Sequence, residues 1–269
     1  FTMTITRRVV RRVVKQQSAR EVNNPVVFNG DSFASENGIH INFATNEFYT
    51  KAAGRDANIF ANIQSFFTFT GGNQSKYIGP SGLLVASVTN TPRIEYDPVT
   101  LAIRGLLMEV TRTNLHLQSD DLATSHTTSA ATVSTNATTD PYGTSTADKI
   151  LEDGTTAAHK VFQNFTKAAS AIVYTFSCWL KASERTFAIM EMEDGTNGIR
   201  QWFNLSTGAV ATQTTVGAGF TFSAATITAY ANGWYRCTLT GTSTTSTSLY
   251  CTTGSANADA SYSYAGTLN

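Results

Sequence analysis

The chain has 269 residues, enough for one large domain or two small ones, and its 19 basic and 19 acidic side chains cancel to no net charge. Charged residues make up only 14 %, against roughly 25 % in an average globular protein. Thr, Ser, Ala, Gly and Asn fill the space, which leaves little for long charged helices and suits extended strands with polar faces.

No apolar run approaches the roughly 18 residues of a membrane-spanning helix, and Phe1-Thr2-Met3-Thr4-Ile5-Thr6-Arg7-Arg8 lacks the apolar core of a signal peptide. Position 1 is not Met, which reads as processing or as a beginning that lies upstream. Cys178, Cys237 and Cys251 are too few and too scattered for a disulfide framework, and no CxxC pair or His-bearing metal spacing occurs. Cys178 and Cys237 each sit inside an apolar strand-like run, where a free thiol is a small core residue and a reducing folding compartment is implied.

Residues 1–25 stand apart. Arg7-Arg8-Val9-Val10-Arg11-Arg12-Val13-Val14-Lys15 repeats basic and apolar pairs every four residues, which on a helix separates a valine stripe from an arginine stripe. Such a stripe has no local core, so the segment is expected to dock on symmetry mates or on an acidic partner. Binding nucleic acid is the weaker reading, because no aromatic residues interleave and the rest of the chain carries no basic excess.

Next come the turn signals Asn29-Gly30-Asp31 and Asn37-Gly38, the alternating Ile39-His40-Ile41-Asn42-Phe43, and a polar connection through Asn46–Ile63 that a helix could form. From Phe66 onward the pattern is β. Phe66–Thr70, Lys76–Ile78, Leu83–Val88, Pro92–Pro98 and Gly105–Val110 are the expected strands, with turns at Gly71-Gly72-Asn73 and Gly79-Pro80-Ser81-Gly82. Thr124–Thr139 could pass for a linker, although Ala131-Thr132-Val133 alternates enough for an edge strand.

The C-terminal half has the spacing of a sandwich, with strands expected at Lys149–Leu151, Tyr174–Leu180, Thr186–Glu191, Gln201–Leu205, Thr226–Tyr230, Trp234–Thr240 and Ser248–Thr252. In the Tyr174–Lys181 run, Tyr174, Phe176, Cys178 and Leu180 share one face, while Trp179 and Lys181 point the other way with Thr175 and Ser177.

Asn90-Thr91-Pro92-Arg93-Ile94-Glu95-Tyr96-Asp97-Pro98-Val99-Thr100, Arg104-Gly105-Leu106-Leu107-Met108-Glu109 and Arg112-Thr113-Asn114-Leu115 together resemble a segment found in many phage tail, head-fibre and minor structural proteins. Thr144–Lys149, Tyr174–Ser177, Lys181–Thr186 and Asn232-Gly233-Trp234-Tyr235-Arg236-Cys237 are similar to the jelly-roll module such proteins carry, itself like the carbohydrate-binding modules of polysaccharide-degrading enzymes. The resemblance spans about residues 66–269 and implies a virion subunit, usually a homotrimer. Two departures stand out. The family often places a Trp in the first strand of the jelly roll, where this chain reads Ala123-Thr124-Ser125-His126-Thr127, and it usually continues into one more apolar strand beyond Tyr264–Asn269. Either the natural protein is longer or a neighbouring chain completes the sheet.

Catalysis has little anchorage in the sequence. A glycosidase needs two carboxylates about 5–10 Å apart, one of them with a raised pKa. Glu191, Glu193 and Asp194 form the one acidic cluster in the sandwich, and the adjoining Gly195 reads as a solvated hairpin end. No G-x-S-x-G, P-loop or dinucleotide fingerprint occurs. Sugar binding needs aromatic platforms beside polar groups, which singles out Trp179, Trp202 and Trp234, with Lys181 and Arg236 on the strand faces of Trp179 and Trp234. Core packing competes for every Trp; Trp179 is the best platform because its strand already has a full apolar face.

The expectation is therefore a mostly-β, non-enzymatic chain: a virion-anchoring segment at 1–60 with Arg7, Arg8, Arg11, Arg12 and Lys15 as anchors, a short β stem at 61–117, and a jelly-roll β-sandwich at 118–269. No cofactor or metal is expected. The expected partners are capsid, portal, collar or tail proteins, two further copies of the chain, and a host polysaccharide, with assembly in the host cytoplasm and residence in the virion. The alternatives are a purely structural decoration, collar or tail protein without sugar binding and, least favoured, a depolymerase.

Overall fold

The computed structural model describes residues 75–108 and 113–268, together with five short strands before them. The chain divides into two units, Phe1–Arg112 and Thr113–Asn269. Arg7, Arg8, Arg11, Arg12 and Lys15 lie outside the described residues.

In the first unit, β1 (Met3–Thr4) pairs with β5 (Thr68–Phe69), and β2 (Gly38–Asn42), β3 (Glu47–Lys51) and β4 (Asn58–Phe60) form an antiparallel meander. Two strands thus occupy the stretch read as a helix-capable connection; Phe48, Tyr49 and Thr50 are residue types that favour extended backbone, and β3 pairs with both β2 and β4. Two hairpins follow, β6 (Lys76–Ile78) with β7 (Leu84–Ala86) and β8 (Ile94–Tyr96) with β9 (Ile103–Leu106). Asp97 closes the second: its carboxylate accepts from the Val99 and Thr100 amides and the Arg104 guanidinium at 2.8–2.9 Å, which holds its pKa well below the usual carboxylate range. Gly82 turns the first at φ +76°, where a Cβ would lie 2.7 Å from the Pro98 carbonyl oxygen.

The second unit is the β-sandwich. A single helical turn, α1 (Leu122–Ser125), is capped by the Asp121 carboxylate, which accepts from the Ala123 and Thr124 amides. A six-stranded antiparallel sheet follows the order β10 (Thr127–Ser129), β14 (Lys160–Thr166), β21 (Ser248–Ala256), β16 (Phe187–Glu193), β17 (Gly198–Asn204), β18 (Ala209–Val216). The opposing sheet has three strands, β15 (Val173–Lys181), β20 (Trp234–Thr242) and β19 (Thr221–Ala229). Two smaller pairs complete the unit, β11 (Ala131–Thr138) with β12 (Ala147–Glu152) and β13 (Thr156–Ala157) with β22 (Tyr264–Ala265). No barrel closes, so the mostly-β, sandwich expectation holds.

Period-two alternation builds the core. Met190, Met192, Ile199, Phe203, Leu249 and Cys251 point inward from the larger sheet and meet Phe176, Cys178, Leu180, Cys237 and Leu239 from the smaller. Each fully buried Leu, Ile, Met or Phe contributes about 1.5–3 kcal/mol. Cys178 and Cys237 face each other in register as free thiols, as the apolar runs implied, and burial pushes the Cys178 thiol up to about 12. Where β17 bulges against β18, the buried Gln201 amide donates to the Trp202, Ala211 and Thr212 carbonyls at 2.8–3.1 Å and takes up the backbone groups the bulge frees.

One end of the core is closed by the strap before β10. Gln163 accepts from the Leu117 amide and donates to the Leu117 and Ser125 carbonyls at 2.9–3.1 Å. This seats His116 against His126, Phe165 and Phe176, with ring centroids 4.7–5.9 Å away.

Candidate functional site

Each sheet presents an outward face, and the two differ in chemistry. On the smaller sheet the register sets Trp179 opposite Arg236 and Lys181 opposite Trp234. Trp179, Lys181, Trp234 and Arg236 therefore share a face, as the alternation predicts. Trp179 meets Tyr230 edge-on at 4.4 Å and stays partly exposed.

Two of the indoles are not platforms. Trp234 is 7 % exposed, and its ring N–H donates to the Thr139 carbonyl at 2.9 Å. Trp202 lies on the other sheet at 2 % exposure, packed with Ile189 and Ala256 and donating to the Ser261 carbonyl at 3.2 Å. Both indoles face outward from their strands, but other parts of the chain cover them: Thr139, which follows β11, and the segment after β21.

The outer face of the six-stranded sheet holds the polar cluster. One cross-strand row runs Thr127, Phe162, Thr252, Glu191, Arg200, Thr214, and the adjacent row holds Asn164, Tyr250 and Glu193. Glu191 is fully buried, not the solvated hairpin end the sequence suggested. Its carboxylate accepts from the Arg200 guanidinium at 2.6 Å, the Lys160 ammonium at 3.2 Å and the Tyr262 hydroxyl at 3.3 Å. Residues 257–265 fold back over this half of the face, and the Arg200 guanidinium lies 3.5 Å from the centre of the Tyr262 ring. Gly254, between Lys160 and Ile189 in register, admits the close approach of β14: a Cβ there would stand 2.4 Å from the His159 carbonyl oxygen.

Among the described residues of this unit, the other half of the face remains open. Phe162 and Tyr250 form a tilted pair with centroids 6.1 Å apart, half-buried and next to exposed Asn164. Lys160 Nζ lies 6.0 Å from the Phe162 centroid and 3.8 Å from Glu193. Burial, seconded by the Glu191 charge, raises the pKa of Glu193. Burial alone would lower Lys160, but the Glu191 carboxylate and Tyr262 hydroxyl outweigh it and the ammonium titrates above its ordinary value. Between Phe162 and Glu191 the Thr252 hydroxyl is buried with no hydrogen-bond partner among the described residues, at a cost of about 1–3 kcal/mol.

Asp194 is absent from this cluster; it accepts from the Thr196 and Asn197 amides and the Thr244 hydroxyl, and so builds the turn. Among the described residues no group of three or more His, Cys, Asp or Glu could hold a metal, and no helix is long and apolar enough to cross a membrane. The sequence reading missed Phe162 and Tyr250: β14 as a whole was overlooked, and the one available signal was the alternation of Val161, Gln163 and Phe165 with Phe162 and Asn164. The chain matches no protein-family model and no curated protein.

Proposed function

We propose that this chain is a bacteriophage virion subunit whose sandwich holds a host-surface glycan against the open half of the six-stranded sheet. One observation carries the binding reading: an aromatic pair, Phe162 and Tyr250, stands beside charged Lys160 and Glu193. Rings take the apolar face of a pyranose, and the charged groups take its OH groups. Hydrolysis is not part of the proposal. Glu193 has the raised pKa a general acid needs, but Glu191 is enclosed by Arg200, Lys160 and Tyr262 and offers no oxygen to a sugar carbon or a water.

The double variant Phe162→Ala/Tyr250→Ala is expected to lose about tenfold or more in affinity for a host-polysaccharide preparation, since each ring contact contributes about 0.5–1.5 kcal/mol beyond its buried area. Isothermal titration alongside thermal melting tests this; undiminished binding by a folded double variant would remove the site. The decoration-protein reading has its own support, because the Lys160–Glu191–Arg200–Tyr262 cluster also serves as a clamp on residues 257–265. Failure of every host glycan to bind the wild-type chain would favour it.

The virion role rests on the resemblance of residues 90–115 to phage structural proteins, with anchoring through Arg7, Arg8, Arg11, Arg12 and Lys15 and assembly as a homotrimer. Deleting residues 1–20 is expected to leave the melting temperature of the sandwich unchanged and to abolish incorporation into particles, while native mass spectrometry of the full chain gives three copies. Normal incorporation of the truncated chain would refute the anchor, and a monomer the trimer.

A further inference from the structure

The outer face of the three-stranded sheet is a second surface, with a charge balance unlike the first. β15, β19 and β20 contain no Asp or Glu, yet Lys181 and Arg236 both project from this face. Arg236 is exposed and has neither a hydrogen-bond nor an ion-pair partner among the described residues. Lys181 lies 6.0 Å from the Trp234 ring and meets no carboxylate among the described residues. Elsewhere on the sandwich the arginines are engaged: Arg185 by Glu152 at 2.7 Å and Arg200 by Glu191 at 2.6 Å. An unpaired guanidinium beside a partly exposed indole is therefore particular to this face.

Around it the surface is hydroxylic. Thr226 and Thr238 share a hydrogen bond at 2.6 Å, and Thr175 and Thr240 another at 2.9 Å, which fixes these side chains before any ligand arrives. Trp179 and Arg236 are direct cross-strand neighbours, about 5 Å apart at their Cβ atoms. One sugar ring can span that distance, stacking on the indole while a substituent reaches the guanidinium.

We propose that this face binds an acidic polysaccharide, with Arg236 receiving a sugar carboxylate, Lys181 supplying a second positive charge, and Trp179 stacking the ring. The planar guanidinium matches a carboxylate with two parallel N–H donors, whereas an ammonium acts as a point charge. Nucleic acid fits less well: duplex binding draws on about 6–10 phosphate contacts, and this face offers two cations and one stacking ring. The inference needs the sandwich to be a glycan-binding module but does not need the six-stranded face to be its site.

The test pairs polygalacturonate with its fully methyl-esterified form, which has the same backbone without the charge, in affinity electrophoresis and titration of the full chain. Wild type is expected to bind the acid form and to bind the ester at least tenfold more weakly. Arg236→Gln, at an exposed position, should lose tenfold or more for the acid form at unchanged melting temperature; Trp179→Ala should weaken binding similarly, and Phe162→Ala/Tyr250→Ala should leave it intact. Equal affinity for the ester, no loss in Arg236→Gln, or equal retention by a single-stranded oligonucleotide of matched charge would each overturn the inference. If the acid form binds but Phe162→Ala/Tyr250→Ala abolishes binding, the ligand sits on the other sheet; this inference then falls while the proposed function stands. If no polysaccharide of any charge binds, both fall.

Discussion

Glu191→Met is expected to destabilise the sandwich by about 3–5 kcal/mol, the cost of stranding charges whose partner has gone. Glu191 is fully buried, and the Arg200 and Lys160 side chains around it are 18 % and 14 % exposed. With the carboxylate removed, two largely desolvated cations face one another, and the nearest acid is Glu193, 3.8 Å from Lys160. The Tyr262 hydroxyl also loses an acceptor, which loosens residues 257–265 over the sheet. Adding Arg200→Met should recover much of the loss, because apolar side chains of similar volume replace buried ion pairs at little cost. Urea unfolding at neutral pH reads both variants. A Glu191→Met midpoint equivalent to less than about 1 kcal/mol below wild type would mean that water reaches the cluster and the buried-network description is wrong.

Acidification is expected to weaken the fold through the two histidines at the end of the core. Burial, seconded by the nearby His126, lowers the His116 pKa from 6.5 to about 4, and burial also lowers His126 although Asp121 and Asp148 oppose the shift. Both ring nitrogens of His126 are buried without a partner, so this ring too is held as the neutral form. The unfolded chain therefore takes up protons first as the pH falls below about 6.5. The stabilisation is fully present above that pH and is lost progressively down to about 4, where the folded His116 protonates. The loss amounts to roughly 2–3 kcal/mol for His116 after allowance for residual solvent at the ring. Unfolding curves from pH 7.5 to 4 test this, with His116→Phe, which keeps an aromatic against Phe165 and Phe176, expected to flatten the profile. An identical slope in wild type and variant would place the pH sensitivity elsewhere. The strap held by Gln163 should open first on the acid side, which amide exchange at Leu117 would reveal.

The sandwich class was legible in the sequence because strand alternation is a local property. The faces of Trp179, Lys181 and Arg236 followed directly from counting by two along Tyr174–Lys181 and Trp234–Thr240, and the register of β15 with β20 bears that count out. The same count put Glu191 and Glu193 on one face, yet it could not tell that the face was covered. Glu191 is buried because residues 257–265 return across β16 and β17, and a fold-back of that kind leaves no periodic trace in the strand it covers. Trp202 and Trp234 stood as candidate platforms for the same reason: each points outward from its own strand, and only the fold shows that it is roofed by chain distant in sequence. β14 and β18 are not legible locally because Gln163, and Gln213 opposite Gln201, put polar groups where a local reading expects apolar ones; for Gln163 only the strap it holds explains the choice.

What the sequence determined alone was composition, alternation and turn chemistry, hence a β-rich chain with the inward face of Tyr174, Phe176, Cys178 and Leu180 named in advance. What tertiary structure decided was coverage and meeting. Phe162 reaches Tyr250 through the pairing of β14 with β21, His116 reaches His126 through a strap, and the Lys160–Glu191–Arg200 cluster draws on three strands. Those encounters depend on sheet order and on which loops fold back, and both are set by burial of apolar area across the whole unit, a quantity that no short window of sequence contains.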